Sequence, residues 1–295
     1  MRKEIIEVDK EKGIYRITSQ DERFYSIPIQ NKETGIPEYK HIPSATWITS
    51  YVYKGIGFYK YLANLGWDEA EALKNEAGNK GSRVHAALEI LISGASVKME
   101  DKYFSKLTEQ EEELFPEEYG AIYSFKNWHD ETKPKFMLRE TTVISEKYNF
   151  AGTVDCVAKI GDTLYVVDFK TSQYVWPSME AQISAYKQAL GEMGRNVKDV
   201  KLAILQIGYR KNKKGYKFTE VEDQFESLFL PAQKFWEKEN LGKSPKQIEL
   251  PLEIRLDLPQ DAPVRPQDAP EASKGINSDL ATVKVPRRVS TKKSK

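Results

Sequence analysis

The sequence predicts an α/β protein. Two β-branched and aromatic-rich segments, 153–158 and 164–170, flank a tight turn and are typical of a β-hairpin. The strongly apolar run at 199–208 indicates a further strand. Helices are predicted at 117–131, from its amphipathic pattern, and at 178–190. Strands interspersed with helices in one chain place it in the α/β class.

The predicted hairpin brings two acids together. Gly161-Asp162 suits a two-residue type II′ turn, because glycine accepts the positive φ of the first central position. With that turn Ile160 pairs with Thr163, and counting outward places Asp155 opposite Asp168. Directly opposed residues in antiparallel strands have Cβ atoms roughly 4.5–5.5 Å apart.

These two acids predict a divalent metal site. Carboxylates so close repel each other unless one is protonated or a cation lies between them. Lys170, two residues beyond Asp168, lies on the same strand face. A surface hairpin with scattered charges is the alternative, but the valines beside the acids indicate a buried strand pair, where unpaired carboxylates are costly. Hard oxygen ligands favour Mg²⁺ or Mn²⁺.

The chain is predicted to contain three regions. Residues 1–43 alternate short β-like pieces with polar turns and predict a small β-hairpin appendage packed on the core. Residues 44–250 form the main domain. Residues 251–295 are Pro-rich and then basic, a composition typical of disorder. This tail is expected to hold nucleic acid, to contact a partner protein, or to be inert.

The main domain is predicted to begin with helices. Ser44 is a candidate N-cap. A helix is predicted over 67–74, with a break or bend near Gly78, and another over 81–94 that ends at a glycine. In the second helix His85 and Glu89 share one face. Taken alone, a histidine on such a face is more often a core residue than a metal ligand.

Three later segments carry polar residues in defined places. The acidic run at 98–118 is typical of a solvated helix face. Residues 136–145 are predicted as a strand whose apolar pattern is interrupted by Glu140. Gln182 and Tyr186 lie one turn apart in the helix at 178–190.

Residues 209–217 are predicted as a basic hairpin loop with tyrosines at both ends, followed by an amphipathic helix at 221–240. Basic and aromatic residues interleaved in this way suit a surface for phosphates and bases. A solvated turn with lysines at a sheet edge explains the same residues equally well. The candidate nucleic-acid-binding residues of the chain are Thr171, Ser172, Trp176, Arg210, Lys211, Lys213 and Lys214.

Composition excludes several classes of protein. The chain has 295 residues and a net charge of +1, so nucleic-acid binding must come from local patches rather than from bulk charge. The single cysteine excludes an internal disulfide and a cysteine-ligated iron–sulfur cluster. No apolar run approaches the roughly 20 residues of a membrane helix, and the N-terminus lacks a signal core. An intracellular, cytoplasmic protein with no membrane partner is expected.

The ordered set of motifs resembles the PD-(D/E)XK nucleases. The matching segments are GSRVHAALE, GTVD, VVDFKTS and EAQISAYKQAL, within a resemblance that spans residues 44–209. More narrowly, the chain is similar to the RecB-type and mitochondrial-genome-maintenance-exonuclease branch, which includes many phage-encoded relatives. The location expected from this resemblance is the cytoplasm of a bacterium or of a phage's host cell. The resemblance implies a restriction-endonuclease-like core, a central mixed β-sheet flanked by helices.

The resemblance also implies a role for each matched residue. Ligation of one or two Mg²⁺ or Mn²⁺ ions is expected from Asp155, Asp168, His85 and the backbone carbonyl of Phe169. Lys170 would stand near the attacking water and the scissile phosphate. Gln182 and Tyr186 would orient Lys170 or contact DNA. Glu140 would help to bind a metal or water, and Glu89 would lie behind the metal ligands.

The function implied is a metal-dependent DNA exonuclease that acts on strand ends, including single strands, in recombination, repair or replication. A structure-specific or restriction-like endonuclease on the same fold is the alternative. A non-catalytic nucleic-acid-binding relative is a third candidate, but Asp155, Asp168 and Lys170 are all present. A recombination or replication partner is expected to bind, if at all, through the C-terminal tail.

Overall fold

The computed structural model describes residues 4–19, 22–30 and 37–245, all within a unit that spans Met1–Lys246. The tail predicted at 251–295 lies outside the described residues, and the domain boundaries near 43 and 250 stay predictions. The strands are β1 (Glu4–Asp9), β2 (Ile14–Thr18), β3 (Arg23–Gln30), β4 (Pro37–Pro43), β5 (Lys102–Ser105), β6 (Gln110–Glu113), β7 (Lys135–Ser145), β8 (Phe150–Ile160), β9 (Thr163–Lys170), β10 (Lys201–Ile207) and β11 (Tyr216–Val221). The helices are α1 (Ala45–Thr49), α2 (Ile56–Leu65), α3 (Trp67–Ile92), α4 (Pro116–Thr132), α5 (Pro177–Glu192) and α6 (Leu230–Asn240), the last preceded by a π-helical turn, Phe225–Phe229.

A five-stranded mixed sheet is the centre of the fold. Its strand order is β11-β10-β9-β8-β7, with β9 and β10 parallel and the other neighbours antiparallel. Parallel neighbours require a crossover connection, and α5 lies in the segment that joins β9 to β10. The predicted α/β class with a central mixed sheet is confirmed.

Helices cover both faces of this sheet. Successive strand residues point to opposite faces, and accordingly Val166 packs in one apolar layer and Val167 in the other. The first layer includes residues of α1, α5 and α6, and the second includes residues of α3 and α4. The charged residues described below therefore come from strands that are buried between two helical layers.

The β8–β9 hairpin has the predicted turn and register. Ile160 pairs with Thr163, and Gly161 has a φ of +57°. The antiparallel pairing continues to Cys156 and Val167 and stops one position before the two acids. The expected direct opposition of Asp155 and Asp168 therefore lies just beyond the last paired residues, and the next section describes where their carboxylates go.

The N-terminal region forms a four-stranded antiparallel sheet, β1-β2-β3-β4, rather than the predicted single hairpin. The hairpin prediction missed β1 and β4, which extend the sheet on each side. Tyr25 of β3 attaches this sheet to the central one, because its Oη lies 3.0 Å from Thr153 Oγ1 in β8. Ile14, Tyr25 and Ile42 also pack with Ala151.

Three local predictions are wrong. The break near Gly78 is absent, since α3 is one helix of 26 residues; a helical glycine costs only about 1 kcal/mol, which packing of this long helix offsets. The acidic segment predicted as a solvated helix contains the β5–β6 hairpin, in which Tyr103 is buried. The helix predicted from 221 starts later, because β11 extends to Val221; the π-helical turn begins at Phe225 and α6 at Leu230.

Candidate active site

A cluster of possible metal ligands lies where β7, β8 and α3 meet. One donor atom from each of His85, Glu140 and Asp155 lies within 4.8 Å of the other two. Two carboxylates and one imidazole form a donor set that suits Mg²⁺ or Mn²⁺. The three residues are partly buried rather than fully exposed, which distinguishes them from an ordinary group of surface acids.

His85 is held between two site groups. Its Nε2 donates a hydrogen bond to the carbonyl oxygen of Phe169 at 3.0 Å, and its Nδ1 lies 3.6 Å from Asp155 Oδ1. The core-histidine interpretation, favoured for His85 taken alone, does not describe this position. The Phe169 carbonyl, expected as a metal ligand, lies beside the cluster and accepts this hydrogen bond.

Glu140 joins the cluster through an unusual backbone conformation. Its φ is +36°, a left-handed value that non-glycine residues seldom adopt. On either side of it, Arg139 pairs with Cys156 and Thr141 pairs with Val154. Strain of this kind, about 1–3 kcal/mol, is found mainly at functional sites. Glu140 was expected only to assist, whereas its carboxylate lies in the same donor group as that of Asp155.

Asp155 also anchors the end of the hairpin. Its Oδ2 accepts a hydrogen bond of 2.6 Å from the backbone N–H of Phe169. This bond takes the place of a further strand pair and turns the carboxylate towards the end of β9. Asp155 thereby links the predicted hairpin to His85.

Asp168 and Lys170 form an ion pair next to this cluster. Asp168 is buried, and one of its carboxylate oxygens contacts Lys170 Nζ at short distance. The resemblance implied that Asp168 ligates metal, but the three-residue donor group does not include it. Its role as a ligand stays a prediction.

The charges of the site shift one another's pKa values. Burial lowers the pKa of the His85 imidazole, but the Asp155 carboxylate outweighs this effect and raises the value to about 9. Burial, and then the charge of Asp155, raise the pKa of the Glu140 carboxyl to about 8. Burial opposes ionisation of Asp155, yet His85 and Lys170 keep its pKa below the usual range. Without a cation the cluster therefore holds protons that a divalent metal would displace.

Metal binding should release protons. At pH 7 His85 and Glu140 are protonated, whereas a ligating imidazole must be neutral and a ligating carboxylate ionised. We expect Mn²⁺ to release about two protons at pH 7 and to bind more tightly as the pH rises towards 9, by up to about tenfold per proton per pH unit. Calorimetry in buffers of different ionisation enthalpy counts these protons. His85→Gln should release about one proton fewer, and an affinity that is constant from pH 6 to 9 would contradict the assignment.

Asp168→Asn separates two roles of that acid. Burial, opposed by Lys170 and reinforced by Asp155, raises the pKa of Asp168 to about 6, so it is mostly ionised at pH 7. We expect the variant to lose about 10²–10³ in cleavage rate, and to bind Mn²⁺ more weakly if Asp168 ligates the metal. Calorimetric titration with unaltered Mn²⁺ affinity would rule out ligation and leave only the contact with Lys170.

Gln182 and Tyr186 lie over the hairpin from α5. Gln182 Nε2 donates to Tyr186 Oη at 2.6 Å and to Thr46 Oγ1 at 2.9 Å. Burial raises the pKa of the Tyr186 phenol well above its ordinary value. The ring packs directly on Gly152, where a Cβ would lie 2.3 Å from Tyr186 Cε1. The glycine three residues before Asp155 therefore leaves room for this tyrosine.

Gly152→Ala should destabilise the protein. The Tyr186 ring is buried and hydrogen-bonded, so it cannot move aside without losing contacts. We expect a loss of about 1–3 kcal/mol in the free energy of unfolding, measured by urea denaturation. Gly120→Ala is the matched control, since nothing lies within 4 Å of its Cβ position in α4; it should stabilise by about 0.5–1 kcal/mol. Equal stabilities of the two variants would contradict the packing argument.

The remaining predicted residues are dispersed around the site. Glu89 lies on the exposed side of α3 and lines the same cleft as His85. Thr171 lies beside Gly81 of α3, and with Ser172 and Arg210 it lines a second cavity of about 810 Å³ that includes Lys170. These residues border the site rather than ligating the cluster.

The basic loop is partly neutralised by acids of α4. Arg210 binds Glu117 at 3.2 Å, and Lys214 binds Glu131 at 2.5 Å. Lys211 Nζ lies 4.6 Å from the centre of the Tyr174 ring, and Lys213 is exposed. A solvated, ion-paired turn describes these contacts better than a free phosphate-binding surface, although nucleic-acid binding by the loop stays a prediction.

Sequence reasoning missed two groups of residues. Arg16 and Arg23 of the N-terminal sheet line the cleft that contains the donor cluster. Arg83, two residues before His85, is fully buried and binds Glu112 at 2.8 Å and Glu118 at 3.2 Å, which fixes α3 against β6 and α4. Arg16 and Arg23 lie in two neighbouring strands and share a face only through the register of that pair, and no local signal indicates that Arg83 is buried.

This arrangement, with acids and a lysine at the end of a strand pair in a mixed sheet, suits a metal-dependent nuclease. A family model of the PD-(D/E)XK nuclease superfamily matches residues 58–247. The chain belongs to this superfamily, which implies a metal-dependent nuclease with DNA as its substrate. No curated protein matches the chain. Among the described residues, no helix has the length and apolar character needed to cross a membrane.

Proposed function

We propose that the protein is an exonuclease that hydrolyses DNA from strand ends, with single strands among its substrates. The observation that carries this proposal is a cleft of about 790 Å³ that contains the donor cluster and Lys170 and is bordered by several parts of the fold. Its walls come from the N-terminal sheet, α1, α3, the β5–β6 hairpin and α5. Roles in recombination, repair or replication, an intracellular location, and a partner bound by the tail belong to the same proposal.

One side of the cleft is bridged by an ion pair. Lys106, which follows β5, binds Glu4 of β1 at 3.0 Å, and both residues line the cleft. This contact joins the N-terminal sheet to the β5–β6 hairpin beside the site. A bridged cleft favours entry of a strand end over sideways entry of an uninterrupted duplex, and this supports the exonuclease over the endonuclease.

An aromatic cavity next to the cleft supports a single-stranded substrate. Tyr53, Phe58 and Trp176 line a space of about 250 Å³, and the cavity shares Lys54 and Ser178 with the cleft. Unpaired bases stack on aromatic side chains with little dependence on sequence. Trp176, predicted to bind nucleic acid, is 41% exposed and available for such a contact.

The side chains of the site divide the chemistry between them. His85, Glu140 and Asp155 would hold the metal, with Asp168 as a further candidate. A bound divalent ion lowers the pKa of water and neutralises phosphate oxygens. Lys170 holds a positive charge at the end of β9, where it would stabilise charge that develops on the phosphate. Asp168 orients that charge through its ion pair.

The acids of the site favour the charged form of Lys170. Burial lowers the pKa of its ammonium group, but the charges of Asp168 and Asp155 outweigh this effect and raise the value above its ordinary one. The group is therefore protonated at neutral pH. In this form it would donate hydrogen bonds to the substrate or to the attacking water, and it would not accept the proton of that water.

A cleavage assay tests the proposed function. End-labelled linear single strands, linear duplexes and closed circles are incubated with Mg²⁺, with Mn²⁺ or with EDTA. The proposal expects metal-dependent loss of linear DNA and intact circles. Cutting of closed circles would refute a strict exonuclease and favour the endonuclease. Binding without cutting under every condition would favour the non-catalytic relative.

A further inference from the structure

We propose that Arg16 and Arg23 bind a phosphate group of the DNA strand beside the phosphate that is cleaved. This inference rests on the proposed function, since the ligand is the substrate of the same cleft. Both residues belong to the N-terminal sheet and lie outside the segment 58–247 that matches the nuclease superfamily. The sheet would thus be part of the DNA-binding site and not only an appendage.

Strand register places both arginines on the face that meets the site. Arg16 pairs with Tyr25, and Thr18 pairs with Arg23. Directly paired residues and residues two apart share one face of a sheet, so the two arginines lie on the Tyr25 side. Tyr25 Oη contacts Thr153, two residues before Asp155.

The two guanidinium groups lie close to site residues. Both line the cleft that contains His85, Asp155 and Lys170. The charge of Arg16 lowers the pKa of the Glu140 carboxyl, which otherwise is raised by burial and by Asp155. Arg23 interacts electrostatically with Tyr186. The arginines therefore flank the donor cluster on the side of β7 and α5.

Neither guanidinium has an ion-pair partner in the described part of the chain. Arg16 Nε is buried there without a hydrogen-bond partner. Burial, followed by the charge of Arg16, lowers the pKa of Arg23. Glu4, an acid that also lines the cleft, forms its ion pair with Lys106, and its charge has only a minor effect on the pKa of Arg23. Two neighbouring cations that are partly buried and unpaired are unfavourable, and an anion in the cleft would relieve that cost.

Phosphate is the anion that matches this pair. A guanidinium presents two parallel N–H donors that fit phosphate oxygens. The DNA that enters the cleft supplies phosphate in two forms, a terminal monoester with a charge of about −1.5 to −2 and internal diesters with one charge each. Either form places a second phosphate near the donor cluster and fixes the position of the scissile one.

Binding without metal tests the inference. Fluorescence anisotropy in EDTA measures Kd for internally labelled single strands that end in 5′-phosphate, in 3′-phosphate, or in hydroxyls only. We expect Arg16→Ala and Arg23→Ala each to weaken binding by about 10- to 100-fold. Each should also reduce the magnitude of the negative slope of log K against log salt by about 0.7. A purely structural role would not produce this weaker salt dependence. Arg195→Ala is the matched control, because Arg195 is exposed and does not line the cleft.

The substrate ends identify the source of the phosphate. A loss confined to strands with one phosphorylated end assigns a terminal phosphate and the end that enters. An equal loss on hydroxyl-ended strands assigns an internal diester. Both results support the inference, and Arg16→Lys and Arg23→Lys should then keep most of the salt slope.

Other results overturn the inference. Arginine variants with the same affinity and salt slope as Arg195→Ala would contradict it. Arginine variants that bind more weakly, melt at a lower temperature and keep an unchanged salt slope would also contradict it. Failure of the proposed function is distinguishable. A protein that binds as expected but cuts no DNA refutes the nuclease, whereas one that cuts DNA while its arginine variants bind like the control refutes only the phosphate site.

Discussion

Lys170→Ala should retain DNA binding and lose nearly all cleavage. Lys170 is the ammonium group that contacts Asp168 at the edge of the donor cluster, and its raised pKa keeps it charged. Removal of one preorganised electrostatic group from an active site typically lowers kcat by about 10²–10³. The ammonium group is already paired with Asp168 and contributes little net charge to strand binding, so Kd in EDTA should change by only a few fold. Single-turnover cleavage of an end-labelled strand with Mg²⁺ measures the first quantity, and anisotropy measures the second.

Lys159→Ala is the matched control for that experiment. Lys159 lies in β8 of the same hairpin, its side chain is 47% exposed, and its Nζ lies 3.8 Å from Asp162 Oδ1. It should cleave at close to the wild-type rate. Unchanged cleavage by Lys170→Ala would remove this residue from the mechanism, and equal losses in both variants would indicate a general effect of charge.

The hairpin could be predicted from sequence because its determinants are local. Gly161-Asp162 fixes the turn, and the turn fixes the register through Cys156 and Val167. Counting along that register cannot reveal where the pairing ends. The end depends on the carboxylate of Asp155, which replaces a strand pair with a hydrogen bond to the N–H of Phe169.

The full donor cluster could not be predicted from the sequence, because it depends on contacts between segments that are distant along the chain. Glu140 contributes its carboxylate from a backbone conformation with a φ of +36°, and the sequence shows only an acid in an apolar strand. Arg16 and Arg23 are more than 130 residues from Asp155 along the chain. They reach the cleft only because Tyr25 attaches one sheet to the other.

The prediction for the acidic segment at 98–118 was wrong because a buried charge determines its structure. The acidic segment after α3 has a composition typical of a solvated helix. Instead, Arg83 is buried and takes Glu112 and the carbonyl of Glu113 as partners, and the strands β5 and β6 hold those acceptors in place. An unpaired buried guanidinium would cost several kcal/mol, which exceeds the helix propensities of the residues in this segment.

Asp155→Asn should abolish high-affinity metal binding while it preserves the fold. Asparagine has nearly the same shape, and its amide oxygen can still accept the hydrogen bond from Phe169 N–H. The negative charge shared with His85 and Glu140 is lost. Disruption even of groups that support a metal ligand costs 10- to 100-fold in affinity, so we expect a loss of about 100-fold or more for Mn²⁺, measured by calorimetry, and a comparable loss of cleavage.

The same variant has a consequence that needs no metal. Burial lowers the pKa of His85, and the charge of Asp155 is the main effect that raises it to about 9. Without that charge the imidazole should titrate well below 9, which NMR of the histidine ring measures directly. Asp162→Asn, at the exposed hairpin turn, is the control and should alter neither Mn²⁺ affinity nor the His85 titration. An Asp155→Asn protein that binds Mn²⁺ like this control, with His85 still titrating near 9, would show that Asp155 and His85 do not share a metal site.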